Sequence, residues 1–137
     1  MSLSAKSRNP FNAEIAKACV TIKEKRRIVS KITVKDLSEV SGLDYSNLSK
    51  LLSESNFFNR TYFCRASEDT VVRILATLHV NWEQSLKIAR TMGYDYSDMR
   101  LLKNEILKTA LSCDSVDEIN KHLKSLGIQP IVNYFNK

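Results

Sequence analysis

The segment that most constrains the fold is TVKDLSEVSGLDYSNLSKLL, which covers residues 33–52. It contains two short amphipathic stretches, and each begins at a residue that can cap a helix. Thr33, with Asp36 three positions later, resembles a capping box, and Asp44 can cap the second stretch. Gly42 lies between them, where a left-handed conformation costs glycine little. The segment therefore predicts two helices joined by a tight turn.

The rest of the chain also predicts helices. Only three glycines and two prolines interrupt its 137 residues, and alternating runs of β-branched residues are scarce. Each of the other apolar stripes follows a residue that can cap a helix, namely Asn12, Ser67, Asn81, Asp95 (with Asp98) and Ser115. Only IQPIVNYF, residues 128–135, has an extended pattern. The sequence thus predicts an all-α protein with a short extended tail.

Composition and length are those of one globular domain with a small appendage. Hydrophobic residues make up 43% of the chain and charged residues 26%, which is enough to bury a core. No apolar run is long enough to cross a bilayer, and residues 1–10 lack a signal-peptide pattern. Three well-separated cysteines, Cys19, Cys64 and Cys113, are typical of free thiols rather than of a disulfide or metal site. We therefore expect a cytoplasmic protein with no membrane association.

Positive charge is concentrated at one end of the sequence. Residues 1–35 hold nine Lys or Arg against two Glu, a net of +7, while the remaining 102 residues sum to −1. A one-sided basic end predicts a polyanionic partner such as nucleic acid or an anionic membrane surface. The KEKRR run at 23–27 can equally be a solvated helix surface that only aids solubility.

The pattern of reactive residues does not indicate an enzyme. His79 and His122 are the two histidines, and neither lies near a group of Cys, Ser or acidic residues with catalytic or metal-binding spacing. The three glycines are isolated, so no phosphate-binding loop is predicted. We expect no catalytic residues, no metal and no cofactor.

Two motifs in order carry a family resemblance. The helix–glycine–helix segment is followed by RASEDTVVRILATLHVNWEQSL, residues 65–86, and together they resemble the helix-turn-helix DNA-binding family of Cro and the phage lambda repressor (XRE-type). The matching positions are Thr33, Leu37, Gly42, Leu43, Leu48, Ser49 and Leu51 in the first motif, and Ser67, Thr70, Val71, Ile74, Leu78, Val80 and Leu86 in the second. The resemblance covers roughly residues 13–88. Ser38 replaces the usual Ala, and Val34 stands where many members have a bracing Gln.

The resemblance implies a five-helix lambda-repressor-like helix-turn-helix domain over residues 12–90. A basic, flexible arm over residues 1–11 would precede it, and a helical oligomerisation region over residues 91–137 would follow. In this family the exposed start of the second helix enters the major groove, where every base pair presents a distinct hydrogen-bonding pattern. The expected base-reading residues are Tyr45, Ser46, Asn47 and Lys50. Tyr45 can instead be a partly buried ring stacked on Thr33 or Leu37.

Phosphate contacts are expected around this helix. The candidates are Thr33, Lys35 and Ser49 in the helix-turn-helix, and Asn59, Arg60 and Tyr62 in the following loop, whose aromatic residues can equally be packing groups. Longer-range or arm contacts are expected from Lys6, Arg8, Lys23, Arg26 and Arg27.

The C-terminal third is expected to form a homodimer. Residues 89–137 have a net charge of only +1, and two apolar helix stripes have little other chain to cover them. The candidate interface residues are Met99, Leu102, Ile106, Ile119, Leu123, Ile131 and Tyr134. The alternative is that both helices cap the first domain's core and leave a monomer.

The sequence therefore predicts a double-stranded DNA-binding transcription regulator, a repressor acting as a dimer on an inverted-repeat operator. One alternative is an antitoxin that represses its own operon and binds a toxin or co-regulator. The other is an adaptor that uses the helix-turn-helix to bind a protein.

Overall fold

The computed structural model describes residues 3–26, 31–55 and 66–135. Within these ranges the chain is all-α, with seven helices and no β-strand. The helices are α1 (Pro10–Arg26), α2 (Val34–Ser41), α3 (Tyr45–Leu52), α4 (Glu68–Leu78), α5 (Trp82–Thr91), α6 (Leu102–Ser112) and α7 (Val116–Ser125). None of them combines the length and apolar character of a bilayer-spanning helix.

Most helix starts are where the sequence predicts them, because a local side chain satisfies the first free amide groups. Thr33 and Asp36 form both halves of the capping box of α2. The side-chain oxygens of four other predicted caps accept a hydrogen bond from the amide three residues later, at Asp44, Ser67, Asn81 and Ser115. Gly42 ends α2 in the left-handed conformation, with φ of 78°.

The prediction for the start of α1 is wrong. The helix begins at Pro10, after Asn9, whose side-chain oxygen accepts hydrogen bonds from the amides of Phe11 and Asn12 at 3.0 and 3.5 Å. Asn12 is a buried residue inside the helix. Residues 3–9 also differ from the flexible arm that the sequence predicts. Leu3 is buried, and the amide of Ser4 donates to the Asn12 side chain.

The start of α6 also differs from the prediction. Asp95 and Asp98 accept hydrogen bonds from the amides of Ser97 and Arg100, two residues later, so they stabilise local turns instead of a helix start. The segment is held against α4, because the buried Tyr96 donates its hydroxyl hydrogen to the Glu68 carboxylate at 3.0 Å. The helix begins only at Leu102.

The core is organised around α4. All but one of its residues from Val71 to Leu78 are buried, and the helix packs against α1, α2, α5 and α6. The exception is Arg73, in the middle of the apolar run. Helix α1 also packs on α3 and α5, and α6 pairs with α7. The C-terminal helices therefore share the core of the preceding ones.

The tail is held by α7 and by the C-terminal end of α2. The side-chain amide of Asn120 in α7 donates to the Ile131 carbonyl at 3.0 Å, and its oxygen accepts from the Ile131 amide at 2.9 Å. The next two amides, of Val132 and Asn133, both donate to the carbonyl oxygen of Val40 in α2, at 3.2 and 2.9 Å. The extended pattern of residues 128–135 thus corresponds to a non-helical segment that crosses the C-terminal end of α2.

Candidate nucleic-acid interface

Helices α2 and α3 are joined by a short turn that is fixed by local hydrogen bonds. The amide of Gly42 donates to the carbonyl of Ser38 at 2.9 Å, which closes α2. The Ser38 hydroxyl donates to the Leu43 carbonyl at 2.6 Å, and the Leu43 amide donates to the Ser41 hydroxyl at 3.1 Å. Asp44 then caps α3. The serine at position 38, where the resembled family has alanine, therefore adds a hydrogen bond to the turn.

The exposed side of α3 presents polar side chains to solvent, three of them in its first turn and Lys50 in its last. Tyr45 is 48% exposed, and Ser46, Asn47 and Lys50 are also exposed. The side chains of Tyr45, Ser46 and Asn47 form no hydrogen bond with any residue of the described ranges. The opposite side of the helix is apolar, with Leu48 and Leu52 fully buried. The four predicted base-reading residues thus lie together on one exposed face.

Helix α2 packs against α3, and Thr33 and Lys35 at the start of α2 are both exposed. The capping box uses two of the amides there. The Thr33 amide donates to the Asp36 carboxylate at 2.9 Å, and the Asp36 amide donates to the Thr33 hydroxyl at 3.1 Å. A phosphate at this point would therefore meet the Lys35 ammonium and the Thr33 hydroxyl hydrogen, while the Asp36 charge would oppose it.

Ser49 does not lie where the prediction needs it. Its hydroxyl oxygen is buried and has no hydrogen-bond partner among the described residues. It follows Leu48 on the inward side of α3, so it is not available to a phosphate at the exposed face. The loop candidates Asn59, Arg60 and Tyr62, and Arg27 of the basic run, lie outside the described residues.

Two buried asparagines hold the C-terminal end of α3. The amide nitrogen of the Asn9 side chain donates to the carbonyls of Leu51 and Ser53 at 2.8 and 3.1 Å. That of Asn12 donates to the Leu52 carbonyl at 3.0 Å. The last carbonyls of a helix have no partner within the helix. Here Asn9 and Asn12 supply the partners. Sequence reasoning missed this role, although an asparagine within the apolar stripe of α1 was a detectable sign.

Arg73 of α4 holds the C-terminal end of α2. Its guanidinium donates to the Ser41 carbonyl at 3.4 Å and pairs with Asp69 at 3.2 Å. The side chain is only 15% exposed, so the charge is largely shielded from water. The tail amides also donate to the Val40 carbonyl. These hydrogen bonds together hold the backbone at the C-terminal end of α2, just before the turn. A lone arginine within the apolar stretch TVVRILATL was the sign in the sequence.

Basic side chains flank the α2–α3 unit. Lys23 of α1 lines one cavity together with Lys31 and Ile32, the residues just before α2. At the other end, the amide of the exposed Arg8 donates to the carboxylate of Glu54, two residues after α3, at 2.8 Å. Lys6 and Arg26 are also exposed. Residues 31–55 themselves carry three lysines and four acidic residues, a net of −1, so positive charge comes mainly from α1 and residues 3–9.

A buried thiol lies behind the start of α2. Burial raises the pKa of Cys19 to about 12, and the negative charge of Asp36 adds a smaller increase. The thiol therefore stays protonated at neutral pH and behaves as a small apolar group in the core.

The predicted dimer residues fall into two groups. Ile119, Leu123, Ile131 and Tyr134 are buried within the chain itself, because α7 and the tail pack onto α6, α4 and α2. Their side chains are thus unavailable to a second copy in this conformation. Met99 and Leu102 are exposed, Leu102 by 70%, and Ile106 is half-buried. Leu101, which the sequence analysis did not select, is exposed beside them.

Comparisons with models of protein families, with curated proteins and with solved structures find no match to this chain. The resemblance to the Cro and lambda-repressor family therefore rests on the two motifs in the sequence.

Proposed function

We propose that the protein is a sequence-specific double-stranded DNA-binding transcription regulator, and that it acts as a repressor. The observation that carries this proposal is the polar face of α3, where Tyr45, Ser46, Asn47 and Lys50 are exposed on a helix whose other side is buried. A single α-helix fits the major groove, and its exposed first turns reach the base edges. The left-handed turn at Gly42 and the capped start of α2 support the proposal that α2 and α3 form a helix-turn-helix.

Each exposed side chain has a suitable chemistry. The Asn47 amide can pair with the N6 and N7 atoms of adenine, and Lys50 can donate to guanine. Tyr45 can contact a thymine methyl group or a phosphate. Lys35, Lys31, Lys23 and Arg8 would bind phosphates on either side of the groove, which sets orientation without reading sequence.

A dimer would place two such helices on one operator. One recognition helix contacts too few bases to select a site in a genome, so the half-sites should form an inverted repeat about 10 base pairs, or a multiple of this, apart. A group of apolar side chains close together in sequence is available for a dimer contact, namely the exposed Met99, Leu101 and Leu102 and the half-buried Ile106. In light scattering, Leu102→Lys should shift the protein to monomer, whereas Val20→Lys on the exposed side of α1 should not. A monomeric wild-type protein at micromolar concentration would contradict the dimer.

The function is tested by selection of duplexes from a random pool, followed by affinity measurements at several salt concentrations. We expect an enriched inverted repeat. Log affinity should fall with log salt concentration by a slope of several units, because about five to ten phosphates would be neutralised in a dimer. No enrichment together with a flat salt response would exclude the proposal.

A protein-interaction adaptor is the second candidate. The observation that favours it is the net charge of −1 over residues 31–55, since a surface that binds DNA is usually basic. The salt titration separates the two functions, because an adaptor would show no salt-dependent affinity for duplex DNA.

A further inference from the structure

An open cavity of about 310 Å³ lies where α1, the start of α5 and the end of α6 meet. Its walls come from the C-terminal end of α1, the junction of α4 and α5, and the C-terminal half of α6. The lining includes no residue of α2 or α3. Its size is at the lower end of the range for small-molecule sites. The cavity is therefore separate from the proposed DNA-binding face.

The charged side chains among the described residues that line this cavity are basic. They are Lys25 of α1 and Lys108 of α6, and none of the described lining residues carries a carboxylate. Neither lysine forms an ion pair with an acidic group of the described residues. The ten-residue helix α5 begins at the cavity wall, after its cap Asn81, and adds the partial positive charge of its free amides, which the exposed Glu83 in the same turn partly offsets. These features favour an anionic ligand.

The rest of the wall combines aromatic and apolar side chains with the polar residues Asn81 and Ser112. Trp82 is half-buried, with the Lys108 ammonium 5.9 Å from the centre of its ring. Val80 and Leu111 contribute apolar surface beside it. An indole ring next to a cation binds a flat π system by stacking while the ammonium contacts its charged group.

One wall of the cavity is held in a fixed position. His79 ends α4 in the left-handed conformation, with φ of 52°, which few residues other than glycine adopt. Its Nε2 atom donates to the Cys113 carbonyl at 2.7 Å, and its ring lies 4.5 Å from that of Tyr134 in the tail. Contacts from Cys113, the residue after α6, and from the tail thus hold this strained residue. The wall is therefore formed before any ligand binds.

We propose that this cavity binds a small planar aromatic anion, with its ring against Trp82 and its charged group between Lys25 and Lys108. Two sources share this chemistry, a nucleotide with its base and phosphate, and an aromatic carboxylate. The site goes beyond the proposed DNA-binding function and does not depend on it.

Trp82 is the only tryptophan of the chain, so its fluorescence reports directly on this cavity. The full-length protein is titrated with adenosine monophosphate and, separately, with benzoate. Adenosine and benzamide serve as neutral controls that keep the rings. We expect a saturable change with at least one anion, and affinity about tenfold weaker for its neutral counterpart, because charge-assisted hydrogen bonds are lost. Response to the nucleotide alone or to benzoate alone identifies the source.

Calorimetry on variants tests the location. Lys25→Gln and Lys108→Gln should each weaken binding about fivefold, as expected for loss of one partly exposed charged contact. Lys103→Gln is the matched control, because it lies on the same helix but pairs with Glu68 at 3.6 Å, outside the cavity wall. The proposal is overturned if neither anion binds at millimolar concentration. It is also overturned if anion and neutral control bind equally, or if both lysine variants bind as well as the wild type.

Discussion

The front and the back of the α2–α3 unit are built in opposite ways. At the front, the side chains of Tyr45, Ser46 and Asn47 are exposed and form no hydrogen bond with the described residues. At the back, backbone carbonyls of both helices accept hydrogen bonds from distant residues. Asn9 and Asn12 bind the end of α3, while Arg73 and the tail bind the end of α2.

The back of the unit therefore positions the two helices, whereas the front carries the side chains that can recognise a partner. The back contacts join α3 to segments before it in sequence, and α2 to segments after it, so the backbone of the unit is held from both sides. Because the front side chains have no such partners, they remain available to an external one. A rigid helix with free polar side chains is what specific base contacts require, since a displaced helix would lose several contacts at once.

The largest expected effect is on stability, from a change at the back. Asn12→Ala removes the donor to the Leu52 carbonyl and the acceptor for the Ser4 amide. We expect the free energy of unfolding to fall by about 3 kcal/mol, because leaving the buried Leu52 carbonyl without a partner costs up to about 3 kcal/mol. Urea unfolding measures this change. The matched front variant, Asn47→Ala, should alter stability by less than about 0.5 kcal/mol. Equal effects of the two would remove the distinction between front and back.

The next effect is on DNA affinity, from changes at the front. Asn47→Ala and Lys50→Ala should each weaken binding to the selected duplex by about 1–3 kcal/mol and change binding to random duplex little, because these residues would read bases. Lys35→Ala should weaken both by similar factors, since it would contact phosphate. Fluorescence anisotropy provides both affinities. If all three variants lost selected and random binding alike, the assignment of α3 as the reading helix would be wrong.

A smaller effect is expected at the turn itself, and two glycines make a matched pair. Gly42 and Gly127 have nearly equal left-handed φ values of 78° and 75°. A methyl group at Gly42 would lie 3.2 Å from Val132 and 3.3 Å from Arg73, whereas one at Gly127 would meet nothing within 4 Å. Gly127→Ala should therefore cost about 1 kcal/mol for backbone strain alone.

Gly42→Ala should cost about 1 kcal/mol more than Gly127→Ala, because the tail and Arg73 must also shift. Thermal or urea unfolding gives the difference. Equal losses for the two variants would mean that the tail does not pack closely on the turn.

The parts of the fold that follow from neighbouring residues could be predicted from the sequence. Thr33, Asp44 and Ser115 each bond an amide three residues away, and Gly42 needs only its own conformational freedom. The helices that they begin or end were therefore predicted correctly, as was the exposure of the first turn of α3.

The features that depend on distant residues could not be predicted in this way. The apolar stripes of α7 and the tail predict that these segments are buried, but they do not tell whether the same chain or a second copy covers them. In the structure Ile119 and Ile131 are buried in the core of the same chain. Asn12 resembles a cap in sequence, yet its partners lie 40 residues away at Leu52 and eight away at Ser4. Asp98 bonds its local backbone, so α6 begins later than the apolar pattern indicated.

The central claim is that DNA binds at the front of α3. It is tested most directly by mapping backbone amide chemical shifts of the full-length protein with and without the selected duplex. We predict that the largest changes lie at residues 45–50, with a second set at residues 33–35, and that residues 99–106 change little beyond effects of dimerisation. Changes concentrated at residues 99–135, with residues 45–50 unaffected, would contradict the account.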